Sequence, residues 1–173
     1  MKTSLRFKLM HVALAAAGLS LISVPASYAA TVTNTFQVTA NVLAQCSVTA
    51  LNLGFGAVDP LGGNVDQTST VTVKCTKNSP YTVGLNAGAT TGATIAARLM
   101  ANGADTMSYQ LYSDSARTAV WGNTAAVPSW VAGTGAGMGT GQVLTVYGRV
   151  PTGQTNLAVG SFTETAVTVT VTY

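Results

Sequence analysis

His11, Cys46 and Cys75 are the residues to which nucleophilic or metal chemistry would first be assigned, because imidazole and thiol groups attack and ligate near neutral pH. The surroundings of His11, the only histidine, remove it from that role. Lys2, Arg6 and Lys8 form a positive leader, an apolar run extends from Leu9 to about Val24, and Pro25 breaks it. Ser27-Tyr28-Ala29 then offers small residues at the two positions that signal peptidase reads. Residues 1–29 therefore read as a secretory signal peptide cleaved after Ala29, with an apolar core too short and too rich in alanine to stay behind as a membrane anchor. The exported chain is left without imidazole, so a Ser-His or Cys-His pair and a His-ligated metal site are excluded.

Five carboxylates remain, Asp59, Asp66, Asp105, Asp114 and Glu164, and no two of them share a motif of the kind that paired acid–base catalysis uses. The run Gly133-Thr134-Gly135-Ala136-Gly137-Met138-Gly139-Thr140-Gly141 lacks the Gly-Lys-Ser/Thr ending of a phosphate loop and reads as a flexible surface loop. Trp121 and Trp130 read as core or interface residues rather than a sugar platform. The expectation is a protein that is not an enzyme and needs no cofactor or metal.

Cys46 and Cys75 are the two cysteines, and in an exported chain such a pair reads as a disulfide. Closing a loop of about thirty residues stabilises a fold by roughly 3–4 kcal/mol in the chain-entropy account. Beyond the signal, Lys74, Lys77, Arg98, Arg117 and Arg149 balance the five carboxylates, so the formal charge of +3 belongs to the leader. No basic patch is left for a nucleic acid. About 144 residues follow the signal, enough for one domain with a core of its own.

The elements that must carry these residues are strands. Val71, Val73 and Cys75 alternate with Thr70, Thr72 and Lys74; Tyr81, Val83 and Leu85 alternate with Thr82, Gly84 and Asn86. Met107, Tyr109 and Leu111 repeat the pattern, and Leu144, Val146 and Val150 share a face opposite Thr145, Tyr147 and Arg149. Period-two alternation with β-branched residues predicts half-buried antiparallel strands. Asp59-Pro60, Gly62-Gly63-Asn64, Asn78-Ser79-Pro80, Asn102-Gly103 and Pro151-Thr152-Gly153 supply the turns. A β-sandwich or barrel follows, with at most a helical turn within Ala89–Arg98.

The two ends match each other. From Thr31 to Val42, Val32, Asn34, Phe36, Val38, Ala40 and Val42 occupy one face, and Thr, Gln and Asn residues the other. At the far end Val167, Val169, Val171 and Tyr173 alternate with Ala166, Thr168, Thr170 and Thr172. The N-terminal strand either folds back into its own sheet or completes the sheet of another molecule, and composition alone does not choose between them.

The chain resembles the spore coat protein U domain, the fold of archaic chaperone–usher pilins. Cys46, Leu53-Gly54-Phe55-Gly56, Val71-Thr72-Val73-Lys74-Cys75, Met107-Ser108-Tyr109-Gln110-Leu111-Tyr112-Ser113-Asp114, Trp121-Gly122, Tyr147-Gly148-Arg149-Val150-Pro151 and Gly160-Ser161-Phe162-Thr163-Glu164-Thr165 carry the likeness, with the closing Val-Thr run. The resemblance implies an all-β fold, an incomplete immunoglobulin-like β-sandwich completed by a donated strand and pinned by one disulfide. Residues 30–42 would be the donor strand, with Val32, Phe36, Val38 and Ala40 as its plugs and Asn34 departing from the apolar face; residues 43–173 would be the pilin domain. Val167, Val169, Val171 and Tyr173 would form the groove-edge strand that a periplasmic chaperone pairs with, anchored by the carboxylate beyond Tyr173. The implied partners are identical or related pilin subunits, the chaperone and an outer-membrane usher. The implied destination is a pilus on the cell surface, serving adhesion and biofilm formation. A coat protein that does not polymerise linearly shares the fold, and a tip adhesin would need a further binding domain for which the chain has no room.

Overall fold

The computed structural model describes residues 28–173, so the expected signal peptide lies outside the described residues except for Tyr28 and Ala29. The chain divides into two units, one ending at Thr39 and one running from Ala40 to Tyr173. Residues 28–45 carry no strand. Alternation alone cannot make one, because a strand exists only when its N–H and C=O groups find a ladder partner.

The second unit holds nine strands in chain order: β1 (Cys46–Ala50), β2 (Val65–Cys75), β3 (Pro80–Leu85), β4 (Arg98–Asn102), β5 (Asp105–Tyr112), β6 (Trp121–Thr124), β7 (Val131–Thr134), β8 (Gln142–Val150) and β9 (Val169–Thr172). β1-β2-β8-β5-β4 form one antiparallel sheet and β7-β3-β9 a second. The register places Val71 opposite Leu144 and Val73 opposite Gln142, so the alternating valines of β2 and the apolar positions of β8 share the inner face. In the second sheet, Val83 faces Val171 and Leu85 faces Val169.

The core lies between the sheets. Val71, Val73, Cys75, Tyr81, Val83, Leu85 and Leu111 are buried there, as the alternation requires. Burying each such side chain contributes about 1.5–3 kcal/mol. Trp121 fills the centre and donates its indole N–H to the Val83 carbonyl at 2.8 Å, so its polar edge is satisfied where water cannot reach.

Arg98 is fully buried, and no carboxylate neutralises it. Its guanidinium donates instead to the carbonyls of Leu85 (3.0 Å), Asn86 (3.0 Å), Ile95 (3.3 Å) and Trp121 (2.7 Å) and to Gln110 Oε1 (2.6 Å). This planar fork links β4 and β5 to the end of β3 and the start of β6. Burial draws its pKa down to about 10, with Tyr109 nearby opposing the shift.

Two expectations are corrected. Ala89–Arg98 forms turns and bends rather than a helical turn, because Glu164 captures the amides of Ala89 and Thr90 and β4 begins at Arg98. The glycine-rich run is tied down along its first half. Gly133 and Thr134 belong to β7, Gly135 exchanges backbone hydrogen bonds with Asn78 and Ser79, and Gly137 donates to the Cys75 carbonyl at 3.0 Å. Composition reports only the freedom of the isolated chain, and here β3 supplies the partner. A Cβ at position 135 would come within 2.2 Å of the Thr76 carbonyl, so this close approach requires glycine.

Candidate functional site

The second sheet ends at β9, whose one ladder partner is β3. Ahead of β9 in the chain, a groove of about 990 Å³ reaches as far as Val167 without including a residue of the strand itself. One wall is the stretch following β1, with Leu53, Phe55 and Val58, and the other is the stretch preceding β9, with Leu157, Phe162 and Val167. Met100 of β4 and Met107 of β5 lie at its floor, both buried. These walls are half-buried apolar residues that pack on the core on one side and meet the slot on the other. Phe55 leans edge-on against Tyr109 with ring centres 6.2 Å apart, joining the first wall to the core.

The residues expected to matter fall into three groups. Cys46 and Cys75 stand opposite each other in the β1–β2 ladder and are disulfide-bonded. Next to the disulfide, the Gln45 amide donates to Thr76 Oγ1 at 3.0 Å and the Thr76 amide donates to the Gln45 carbonyl at 2.9 Å, so the chain is pinned where it enters β1. Val169 and Val171 sit in β9, half-buried toward the core; Val167 lies ahead of the strand on the groove wall; Tyr173 follows the strand and is 54% exposed. Val32, Phe36 and Val38 are 81–93% exposed, and Ala40 is exposed as well.

Sequence reasoning passed over Met100, Leu157 and Glu164 as groove residues. Leu53 and Phe55 were visible only as part of a family motif, since two apolar residues between glycines give too short an alternation to define a face.

Charge at the groove is concentrated in Glu164. Burial alone would raise its pKa, but the Thr90 hydroxyl and the amides of Ala166, Thr90 and Ala89 hold it down at about 2. Two other carboxylates, Asp66 and Asp114, are engaged elsewhere. Asp66 takes a bidentate bond from Arg149 (2.7 and 2.8 Å) with Arg117 at 3.3 Å, and the Arg149 bond keeps its pKa low. Asp114 accepts from the amides of Thr118 and Ala119. Among the described residues, no three His, Cys, Asp or Glu side chains gather where they could hold a metal. A groove lined about equally by polar and apolar surface, with one satisfied carboxylate, suits an extended peptide strand, which brings both backbone hydrogen-bonding groups and apolar side chains, better than a reacting small molecule.

The Spore Coat Protein U domain matches residues 32–172, taking in the exposed N-terminal stretch, both groove walls and β9. The chain belongs to this family. Protein U of Myxococcus xanthus is 36% identical over 175 residues, covering 90% of this chain and 93% of that protein. Among solved structures, the fold is similar to a chain of the CsuC–CsuE chaperone–tip adhesion subunit pre-assembly complex from the archaic chaperone–usher Csu pili of Acinetobacter baumannii. The two superpose with a TM-score of 0.56 at 23% identity over 76% of this chain. The match spans about 40% of the solved chain, and at that identity it speaks for the shared fold. The family and this likeness agree with an immunoglobulin-like β-sandwich carrying one disulfide.

Proposed function

We propose that this chain is a structural pilus subunit, exported to the cell surface by a chaperone–usher route and polymerised by strand donation between copies. The observation that carries the reading is the groove walled by Leu53, Phe55, Phe162 and Val167, set against a segment of alternating apolar residues that has no ladder of its own. Val32, Phe36, Val38 and Ala40 of one copy plug the groove of the next, lying against Leu53, Phe55, Met107 and Phe162. β9, with Val167 ahead of it and Tyr173 behind, is the edge that a periplasmic chaperone pairs with before the usher exchanges it for a subunit. Burying four or five donor side chains contributes on the order of 8–12 kcal/mol before ordering costs. Left open, the same slot and edge favour aggregation, which gives a chaperone its role. Residues 1–29 act as the signal, 30–42 as the donor strand and 43–173 as the acceptor body, and the fibres serve adhesion and biofilm formation.

Likeness to the Csu complex supports the pilus reading through its fold, and the relation to Protein U supports a second one, a secreted coat protein that does not form linear polymers. Gel electrophoresis of surface extracts with and without boiling separates them. The pilus reading expects a ladder of oligomers that collapses on boiling and disappears when Thr31–Val42 is deleted. A single monomer band in unboiled extracts favours the coat protein, and fibres built from the deleted form end the strand-donation account.

A further inference from the structure

We infer that Glu164 is a positioning residue whose carboxylate bolts the groove wall to the Gly88–Thr90 loop, holding the slot in shape before a strand arrives. The inference rests on the reading of the groove as a strand acceptor and names what keeps that acceptor ready.

The wall from Leu157 to Val167 belongs to no strand, and its backbone pairing is a single bridge between Thr163 and Ala101. A segment held so lightly beside buried Met100 and Met107 gains apolar burial by sagging into the slot and closing it. Glu164 opposes that movement. Its Oε2 accepts from the Ala89 amide (3.0 Å), the Thr90 amide (2.8 Å) and the Thr90 hydroxyl (2.6 Å), while Oε1 accepts from the Ala166 amide (2.8 Å).

The seat is shaped for a carboxylate. Gly88 has φ +91°, and a Cβ there would lie 2.6 Å from the Glu164 carboxyl carbon. Four donors converge on an acceptor-only group, and an amide in its place would turn two N–H groups toward one of them. The loop itself is rooted, because Asn86 Oδ1 accepts from the Gly88 amide (3.1 Å) and the Thr168 amide (2.8 Å). The end of β3, the wall and the start of β9 are thus knotted together on one side of the groove. The ordering entropy of the wall is lost on folding rather than on strand capture, so the effect of the knot falls on the rate of capture.

The test uses the chain without residues 1–29 and with Thr31–Val42 deleted, so that no copy fills a neighbour's groove, and a labelled synthetic peptide spanning Thr31–Val42, with uptake and release followed separately. Glu164→Ala and Glu164→Gln are expected to slow uptake about tenfold and leave release within about twofold, because the apolar contacts that hold the strand are unchanged. Thr90→Val removes a hydroxyl that does not line the groove and should slow uptake in the same direction by a smaller factor. If Glu164→Ala does not fold, the other two variants carry the test, with hydrogen exchange of the β2–β8 amides reporting an intact body. Faster release with unchanged uptake would make Glu164 a contact to the strand and overturn the inference, as would three variants indistinguishable from the parent. A parent chain that takes up no peptide removes the strand-acceptor reading and this inference with it.

Discussion

Tyr109 carries the one buried side-chain polar atom among the described residues that has no hydrogen-bond partner. Burial pushes its pKa up to about 12, with Arg98 opposing the shift and Glu164 adding to it. A hydroxyl desolvated without return opposes folding, so Tyr109→Phe should leave the urea midpoint unchanged or raise stability by up to about 1 kcal/mol. A clear loss would mean that the hydroxyl has a partner in solution. Glu164 makes the opposite case. Its pKa of about 2 in the folded chain stands against 4.5 when free, so between those values the unfolded chain binds more protons. Stability from this group is present above about pH 4.5 and is lost as pH falls toward 2. Thermal melts across that window should fall steeply for the parent, and Glu164→Gln should flatten the curve.

Among the elements, the N-terminal segment and β9 show what strand patterns can and cannot reveal. Val169 and Val171 alternate with threonines and do form β9, because Leu85 and Val83 present a matching ladder. Val32, Phe36 and Val38 alternate just as clearly and form no strand in residues 28–45. Phe36→Asp tests the difference. On the strand-donation reading it should leave chaperone capture intact, since capture uses the body. It should lower fibre melting by many degrees, because a charge buried in an apolar slot costs several kcal/mol. Fibres of unchanged stability would exclude Phe36 as a plug.

Across the whole molecule, the disulfide and Arg98 each tie separate elements together, the first β1 to β2 and the second β4 to the end of β3 and the start of β6. The Cys46–Cys75 link closes the loop that includes the first groove wall, with a sequence separation of 29. Replacing both cysteines by serine should lower body stability by roughly 3–4 kcal/mol, measured by urea unfolding, and reduce the yield of assembled subunits. The covalent link was legible from two cysteines in an exported chain, because pairing two thiols leaves no choice of partner. The buried Arg98 was not legible. It stood in the sequence as one of five cationic side chains beyond residue 29, and nothing nearby marked it as the hub of five hydrogen bonds.

By itself the sequence determined the export signal as an expectation, the strand faces, the disulfide and the absence of histidine beyond His11, since each follows from residue type and local spacing. Period two places Val71, Val73 and Cys75 on one face whatever they later pack against. Tertiary structure decided where the groove lies, because Leu53, Met100, Met107 and Phe162 come from four separate stretches and meet only in the folded body. It also decided that Glu164 and Thr90, 74 residues apart, share two hydrogen bonds. Contacts across such distances are set by how the sheets close over the core, and no spacing along the chain records that.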